Sequence, residues 1–229
     1  MPVNREQIVA GALDLLDENG LAGLTLRQLA SRLGIRAPTL YWHVRDKREL
    51  LDLVAAAILD EALAAWREPQ PGQPWPDWLA ARARVMRTAL LAHRDSAMVV
   101  SGNRPAESSL PGIERQLRAL AGAGFAPQDG LLALLTLNAY VIGDVLDQQA
   151  EAAQVRPATD PVPSADRGRP ATGPATAGPL AAGSGPGVTG PDRSYPLLRA
   201  AARGMSSPDQ RFEHGLGVII DGLRARQPG

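Results

Sequence analysis

Apolar positions along this chain recur at helical spacing, and they predict an all-α protein. Asn4 and Gln7 form a capping-box pair, after which Ile8, Ala12, Leu15 and Leu16 fall on one face until Gly20 supplies a left-handed stop. Thr25 and Gln28 repeat the pair. Leu26, Leu29, Ala30 and Leu33 then make the buried face of a short second helix closed by Gly34. A third helix starts at Ala37-Pro38, where proline suits a first turn, and runs about two turns through Thr39, Leu40, Tyr41, Trp42 and His43. Asp46 and Glu49 cap a long fourth helix reaching about Trp66.

The run EPQPGQPWP breaks the chain there. Asp77 is positioned to cap a helix running through His93, with Leu79, Ala83, Met86 and Leu90 on one face. A short segment, Ser96 to Ser101, precedes the loop GNRPAESSLPG. Pro111 starts another helix, which AGAG ends before Phe125. Asp129 opens the most apolar helix, where Leu131, Leu132, Leu134, Leu135, Leu137, Val141, Ile142, Val145 and Leu146 cover much of the circumference. A helix apolar nearly all round is buried on more than one side, which in a small protein points to a subunit interface. Ser207, Pro208 and Gln210 open a last helix with Phe212, Leu216, Ile219, Ile220 and Leu223 on one face. Its Gly215 and Gly217 are expected to permit close helix approach.

The texture changes between these last two helices. Eight prolines and seven glycines lie between Pro157 and Pro191, with scarcely a large apolar side chain. Residues 155–193 are therefore expected to form a flexible insertion with no packed core of its own, an inert tether rather than a docking motif. Helix is expected to resume near Tyr195.

Composition narrows the function. There is no cysteine, which removes disulfides, thiolate metal sites and cysteine nucleophiles. His43, His93 and His214 are too far apart in sequence for a local metal-ligand spacing. No consecutive apolar run approaches the ~18 residues of a membrane-spanning helix, and the N-terminus lacks a signal-peptide pattern, which fits a soluble cytoplasmic protein. The formal net charge is +0, yet from Thr25 to Arg48 six basic residues (Arg27, Arg32, Arg36, Arg45, Lys47 and Arg48) face Asp46 alone. That is a local footprint for phosphate, or simply a solvated charged face. The helices around it favour phosphate. Two short helices joined by a tight glycine-containing turn are the geometry that puts the second helix into a DNA major groove. The helix from Ala37 has few buried positions, mainly Leu40, and three adjacent rings: Tyr41, Trp42 and His43. Those rings either dock on a partner or pack against neighbouring helices.

The string LTLRQLASRLGIRAPTLYWHVRDKRELLD resembles the DNA-binding signature of the tetracycline-repressor family, and YWHV before a charged turn is especially similar. The likeness continues in order through RDSAMVV, GNRP, the QLR helix, GFAPQDGL and GDVLDQQ, and fades after Val155. It implies a homodimer with an N-terminal helix-turn-helix head, residues 1–47, and a ligand-binding and dimerisation domain, residues 48–229, whose first part, 48–66, is a connecting helix. By position, Arg27, Pro38, Thr39, Tyr41, Trp42, His43 and Lys47 match residues that contact operator DNA. Arg36 and Ala37 replace acidic and amide residues, so the operator is expected to differ from the tetracycline operator. The chemistry agrees: hydroxyls and Lys47 suit phosphates, while Arg27 suits a guanine edge. Lys47 is the only lysine in the chain.

The resemblance also implies an effector pocket lined by Leu63, Arg82, Met86, Val100, Asn103, Arg104, Pro105, Gln116, Leu131, Leu134, Asn138, Ala139 and Asp147. Arg104, Pro105 and Gln116 are unchanged from the tetracycline-binding members, and Asp147 stands for a glutamate. The histidine that coordinates the drug's magnesium falls on Val100, another histidine becomes Ala139, and the groups that grip the drug become Leu63, Arg82 and Met86. With most of the oxygen and imidazole shell gone, no metal or other cofactor is expected. The expected inducer is an antibiotic-like, planar, anionic or carbonyl-rich molecule. The alternative is a helical small-molecule-binding or enzymatic protein without a DNA role. No glycine-rich phosphate loop or GxSxG motif supports an enzyme. His93 with Asp95, and Asp144 with Asp147, are explained as solvated helix faces.

Overall fold

The computed structural model describes residues 3–101, 109–155, 195–197, 200 and 207–226. Asn4 Oδ1 accepts from the Gln7 N–H at 2.8 Å while Gln7 Oε1 accepts from the Asn4 N–H at 3.0 Å. This reciprocal box, worth on the order of 1 kcal/mol, starts α1, Arg5–Gly23. Gly20, at φ 70°, kinks that helix as expected, but one further turn carries on to Gly23. Thr25 accepts from the Gln28 N–H at 3.2 Å and starts α2, Leu26–Arg32. Gly34, at φ 64°, turns the chain into α3, Ala37–Tyr41.

α3 is shorter than the two turns expected. Past Tyr41 the chain tightens, with the Trp42 N–H bonding Thr39 O and the His43 N–H bonding Leu40 O. It must then extend at Asp46, whose side chain caps α4, Lys47–Ala65, through the Glu49 N–H. The Glu49 carboxylate does not close a box on Asp46. It reaches back one residue further, to the Arg45 N–H and Nε at 2.8 and 3.1 Å.

α5, Trp75–Leu91, begins two residues before Asp77. Pro74 is its N-cap residue and the Asp77 N–H already bonds Pro74 O. Asp77 is thus a first-turn acid favoured by the helix dipole rather than the cap. α6 spans Ser96–Ser101 and α7 spans Leu110–Gly122. α8, Pro127–Val155, is long and apolar enough by length and composition to cross a membrane. A count of consecutive apolar residues overlooks this because Asn138 and Asp144 interrupt the run, each to bind an arginine of α5. Ser207 and Gln210 form the expected box at the start of α9, Pro208–Arg226. Asn103, Arg104, Pro105 and the 156–193 part of the insertion lie outside the described residues, and of Val155 only its place at the end of α8 is described.

α4 packs on α1, α5 and α6, and α8 packs on α5, α6, α7 and α9. The buried side chains form one cluster from Ile8 through Val54 and Ile58 to Ile220. No gap in the core separates residues 1–47 from the helices after them, so a displacement of α4 is felt by the head. α8 buries Leu134, Leu137, Val141 and Val145 against its neighbours. Its other face leaves Leu131, Leu132, Leu135 and Leu146 exposed, beside an exposed Val218 on α9. Gly215 lets α9 approach α8: a Cβ there would lie 2.3 Å from Tyr140 Oη, which donates to Phe212 O at 2.9 Å. A Cβ at Gly217, by contrast, would meet nothing within 4 Å among the described residues.

Candidate nucleic-acid interface and effector cavity

Leu40 is buried in the head core and holds α3 by a single anchor, so its neighbours face water. Trp42 is 87% exposed and Tyr41 53% exposed, so neither ring is packed away against the neighbouring helices. Arg27, Arg36, Ala37, Pro38, Thr39, His43 and Lys47 are exposed on the same head. Not all six basic residues are available there. Arg32 pairs with Glu18, Arg45 with Glu49 and Arg48 with Asp52. The Arg32 hydrogen bond holds the Glu18 carboxyl below its usual pKa, and backbone and side-chain hydrogen bonds from Arg45 do the same for Glu49. Arg27, Arg36 and Lys47 make no ion pair among the described residues. The Lys47 ammonium donates to Leu21 O at 3.2 Å, at the end of α1, and stays exposed.

The head is bolted to the α5–α6 junction by groups that looked like solvated faces in the sequence. Asp95, at φ 56°, accepts from the Leu21 N–H at 2.8 Å. The Arg94 N–H donates to Asp17, and its guanidinium donates to Glu18 O. The His93 ring lies between Asp17 at 3.0 Å and Glu61 at 3.2 Å. Burial alone would lower the His93 pKa, but the two carboxylates outweigh it and hold it above its usual value. On the other side of the junction, Gln149 of α8 donates to His93 O at 2.7 Å. Asp144 is not solvated either. It binds Arg87 Nε at 2.8 Å with both side chains nearly buried, while Arg87 also pairs with Asp209 and lies 4.6 Å from the centre of the Phe212 ring. Asp147, one turn along, is exposed, so the two carboxylates are no acid–base pair.

A cavity of about 110 Å³ lies between α4, α5, α7 and α8. Five of the residues expected to line a pocket do so: Leu63, Arg82, Met86, Gln116 and Asn138. Val100 and Leu134 are buried nearby but do not line it, while Leu131, Ala139 and Asp147 are exposed on α8. Leu59, Ala62, Trp66, Ser109 and Ile113 also line the cavity and were not expected there. The α4 members are legible in retrospect: Leu59, Ala62, Leu63 and Trp66 follow the spacing of a single helix face. Gly112 lets α7 close on α4, since a Cβ there would lie 3.2 Å from the Leu63 side chain.

Arg82 dominates the electrostatics of this cavity. Its Nε donates to Gln116 Oε1, its Nη2 to Asn138 Oδ1 at 2.9 Å, and its Nη1 is buried without a partner among the described residues. Burial pushes its pKa down to about 10. Trp66 Nε1 and Ser109 Oγ, which belong to residues lining the cavity, are also buried without a hydrogen-bond partner among the described residues. Among the described residues no group of three or more His, Asp or Glu side chains is arranged to hold a metal ion.

Comparison with known proteins accounts for both sites together. Residues 8–54 match the family of bacterial regulatory proteins of the tetR type. Residues 68–184 match the tetracyclin repressor-like C-terminal domain. The tetracycline repressor protein class D of Escherichia coli is 44% identical over 162 residues, 68% of this chain and 72% of that protein. The structure of class A TetR in complex with 5a,6-anhydrotetracycline and magnesium is similar with a TM-score of 0.66 at 32% identity, covering 98% of this chain and 99% of that one. ActR of Streptomyces coelicolor in complex with actinorhodin gives a TM-score of 0.75 at 26% identity over 100% of both chains. The first match contains the exposed α3 and the second the α5, α7 and α8 walls of the cavity: the chain belongs to the tetracycline-repressor (TetR) family of bacterial regulators.

Proposed function

We propose that this chain is a transcriptional repressor whose homodimer binds a palindromic operator and is released when a small molecule enters the cavity between α4 and α8. The observation that carries the DNA half is α3. A helix anchored by Leu40 alone, with Tyr41 and Trp42 in water on a head whose exposed Arg27, Arg36 and Lys47 make no ion pair among the described residues, has the shape and charge of a groove reader. In this reading Thr39, Tyr41 and Lys47 hold phosphates and set register. Arg27, Arg36 and the face formed by Ala37, Pro38, Trp42 and His43 meet base edges. The exposed leucines of α8 and Val218 of α9 are covered by a second copy, which places two heads about one or more DNA turns (~34 Å) apart. Residues 1–47 act as the head and 48–229 as the effector and dimer domain, in the cytoplasm where the operator is.

Release follows from the packing. α4 lines the cavity with Leu59, Ala62, Leu63 and Trp66 and reaches the head at its other end. A ligand that wedges these walls apart moves α4, and the Asp95–Leu21 and His93–Asp17 bonds carry the α5–α6 junction with the head. The ligand must bind the released conformation better, so operator DNA weakens ligand binding by the same factor. A magnesium ion of the kind held in the class A complex does not fit here. Among the described lining residues the side-chain oxygens are the Gln116 and Asn138 amides, which are bound to the Arg82 cation, and the Ser109 hydroxyl, while Val100 and Ala139 carry no ligating side chain.

The test is fluorescence anisotropy of the dimer on the DNA flanking its own gene at several salt concentrations. Tight, salt-sensitive binding is expected, and Lys47→Ala is expected to reduce the salt slope by about 1 for each phosphate that Lys47 neutralises. An unchanged slope would remove Lys47 from the interface, and no specific binding to any promoter would overturn the repressor.

A further inference from the structure

We infer that the cavity is built for a small apolar molecule bearing one anionic oxygen group, a carboxylate or acidic phenol, seated on Arg82 and hydrogen-bonded by Trp66 Nε1 and Ser109 Oγ. This rests on the repressor reading and names the chemistry of its inducer.

The polar groups left over around the cavity are of one kind. Arg82 Nη1 and Trp66 Nε1 are donors only, and Ser109 Oγ donates readily. Natural proteins leave few buried donors unmade, because each stranded group keeps its desolvation cost. Three on residues that line one cavity, all without partners among the described residues, point to an acceptor-rich guest. Gln116 and Asn138 bind Nε and Nη2, and neither is bonded to Nη1. Both are neutral and leave the charge uncompensated.

The comparison with Arg87 separates a structural arginine from a receptive one. Five residues along the same helix, Arg87 is paired with Asp144 and Asp209. Arg82 forms no ion pair among the described residues and is held in a fixed orientation by two amides. A guanidinium stays protonated at neutral pH even when its pKa falls to about 10. The missing counter-charge must therefore come from outside the described residues. A planar fork favours a bidentate carboxylate-like partner. Leu59, Leu63, Met86 and Ile113 make the remaining walls apolar, so the rest of the guest is hydrocarbon or aromatic.

The experiment is calorimetric titration of the full-length dimer with 2-naphthoate and with 2-naphthamide, which match in shape and differ in charge. In parallel, operator release by each is followed by anisotropy. Naphthoate is expected to bind about tenfold to a hundredfold more tightly than the amide. That preference is expected to vanish in Arg82→Gln, and Ser109→Ala to cost naphthoate about threefold to tenfold. Equal affinities, a preference for the amide, a preference that survives Arg82→Gln, or no binding of either probe overturns the inference. If Arg82→Gln does not fold, the two probes on the native protein and on Ser109→Ala decide it. Failure of the native protein to bind operator sinks the repressor reading. Operator binding combined with indifference to the probe's charge sinks only the anion.

Discussion

The Asp95 carboxylate accepts a 2.8 Å hydrogen bond from the Leu21 backbone N–H, joining the end of α1 to the α5–α6 junction across 74 residues of sequence. The contact depends on two special backbone positions. Asp95 sits at φ 56°, a conformation that Asp and Asn tolerate better than other side chains. Gly20 sits at φ 70°, where a Cβ would lie 2.7 Å from Asp95 Oδ2. Asp95→Ala loses a charged acceptor and places alanine in the left-handed region, for an expected cost of about 2–3 kcal/mol in urea unfolding. Asp95→Asn keeps an acceptor oxygen and the backbone preference, and is expected to cost about 1 kcal/mol or less. Equal stability of Asp95→Ala and the native protein would show that this bond does not hold the head.

The head offers a sharper contrast between neighbours. Trp42 is exposed and Leu40, two residues earlier, is buried at 1%. Trp42→Ala is therefore expected to leave unfolding within about 0.5 kcal/mol of native while lowering operator affinity. Leu40→Ala is expected to cost about 2–5 kcal/mol and to lose operator binding through the fold. Chemical denaturation and anisotropy on the same samples separate the two. If Trp42→Ala destabilises as Leu40→Ala does, the ring is structural and α3 is not a docking helix.

What the sequence made legible depends on the range over which each feature acts. The Asn4–Gln7 and Ser207–Gln210 boxes are three-residue events, and both form. The burial of Leu40 and exposure of Tyr41 and Trp42 follow from one short amphipathic turn. The two-sided character of α8 is visible in its leucines, although Asn138 and Asp144 break its consecutive apolar run. Those two polar residues find their partners on α5, 56 and 57 residues away, and no local pattern announces such a pairing. His93 misleads for the same reason: its partners are Asp17 and Glu61, not the adjacent Asp95. The cavity divides likewise. Leu63, Arg82, Met86, Gln116 and Asn138 are reached through family resemblance, whereas the unpartnered Trp66 and Ser109 emerge only when α4 and α7 are packed together.

His93 makes the junction sensitive to pH, with a definite sign. Its folded pKa is raised by Asp17 and Glu61 above the unfolded value of about 6.5. The protonated ring therefore stabilises the fold fully below that value, and the contribution is lost as pH rises through the folded pKa. The unfolding free energy of the native protein is expected to decline over this window. The His93→Gln variant should lack that part of the decline. Parallel profiles for the two proteins would remove His93 as its source.

Arg82 and Arg87 test how a buried charge is satisfied, with the same substitution at two points on α5. Arg87→Met strands Asp144, whose side chain is only 12% exposed, and removes the cation from the Phe212 ring. Breaking one side of such a pair is expected to cost about 3–5 kcal/mol. Arg82→Met strands no charge. It relieves the desolvation that pushes this guanidinium's pKa down to about 10, and in exchange frees the neutral oxygens of Gln116 and Asn138. The relief corresponds to roughly 3 kcal/mol at 1.36 kcal/mol per pKa unit, and the two freed amides return about 1–3 kcal/mol each. The ligand-free Arg82→Met dimer is therefore expected to stay within about 3 kcal/mol of native stability. Urea unfolding of both variants without effector decides the matter. Comparable losses would mean that Arg82 is a structural arginine like Arg87, whereas a large loss at Arg87 alone leaves Arg82 as a cation kept in the cavity for something other than the fold.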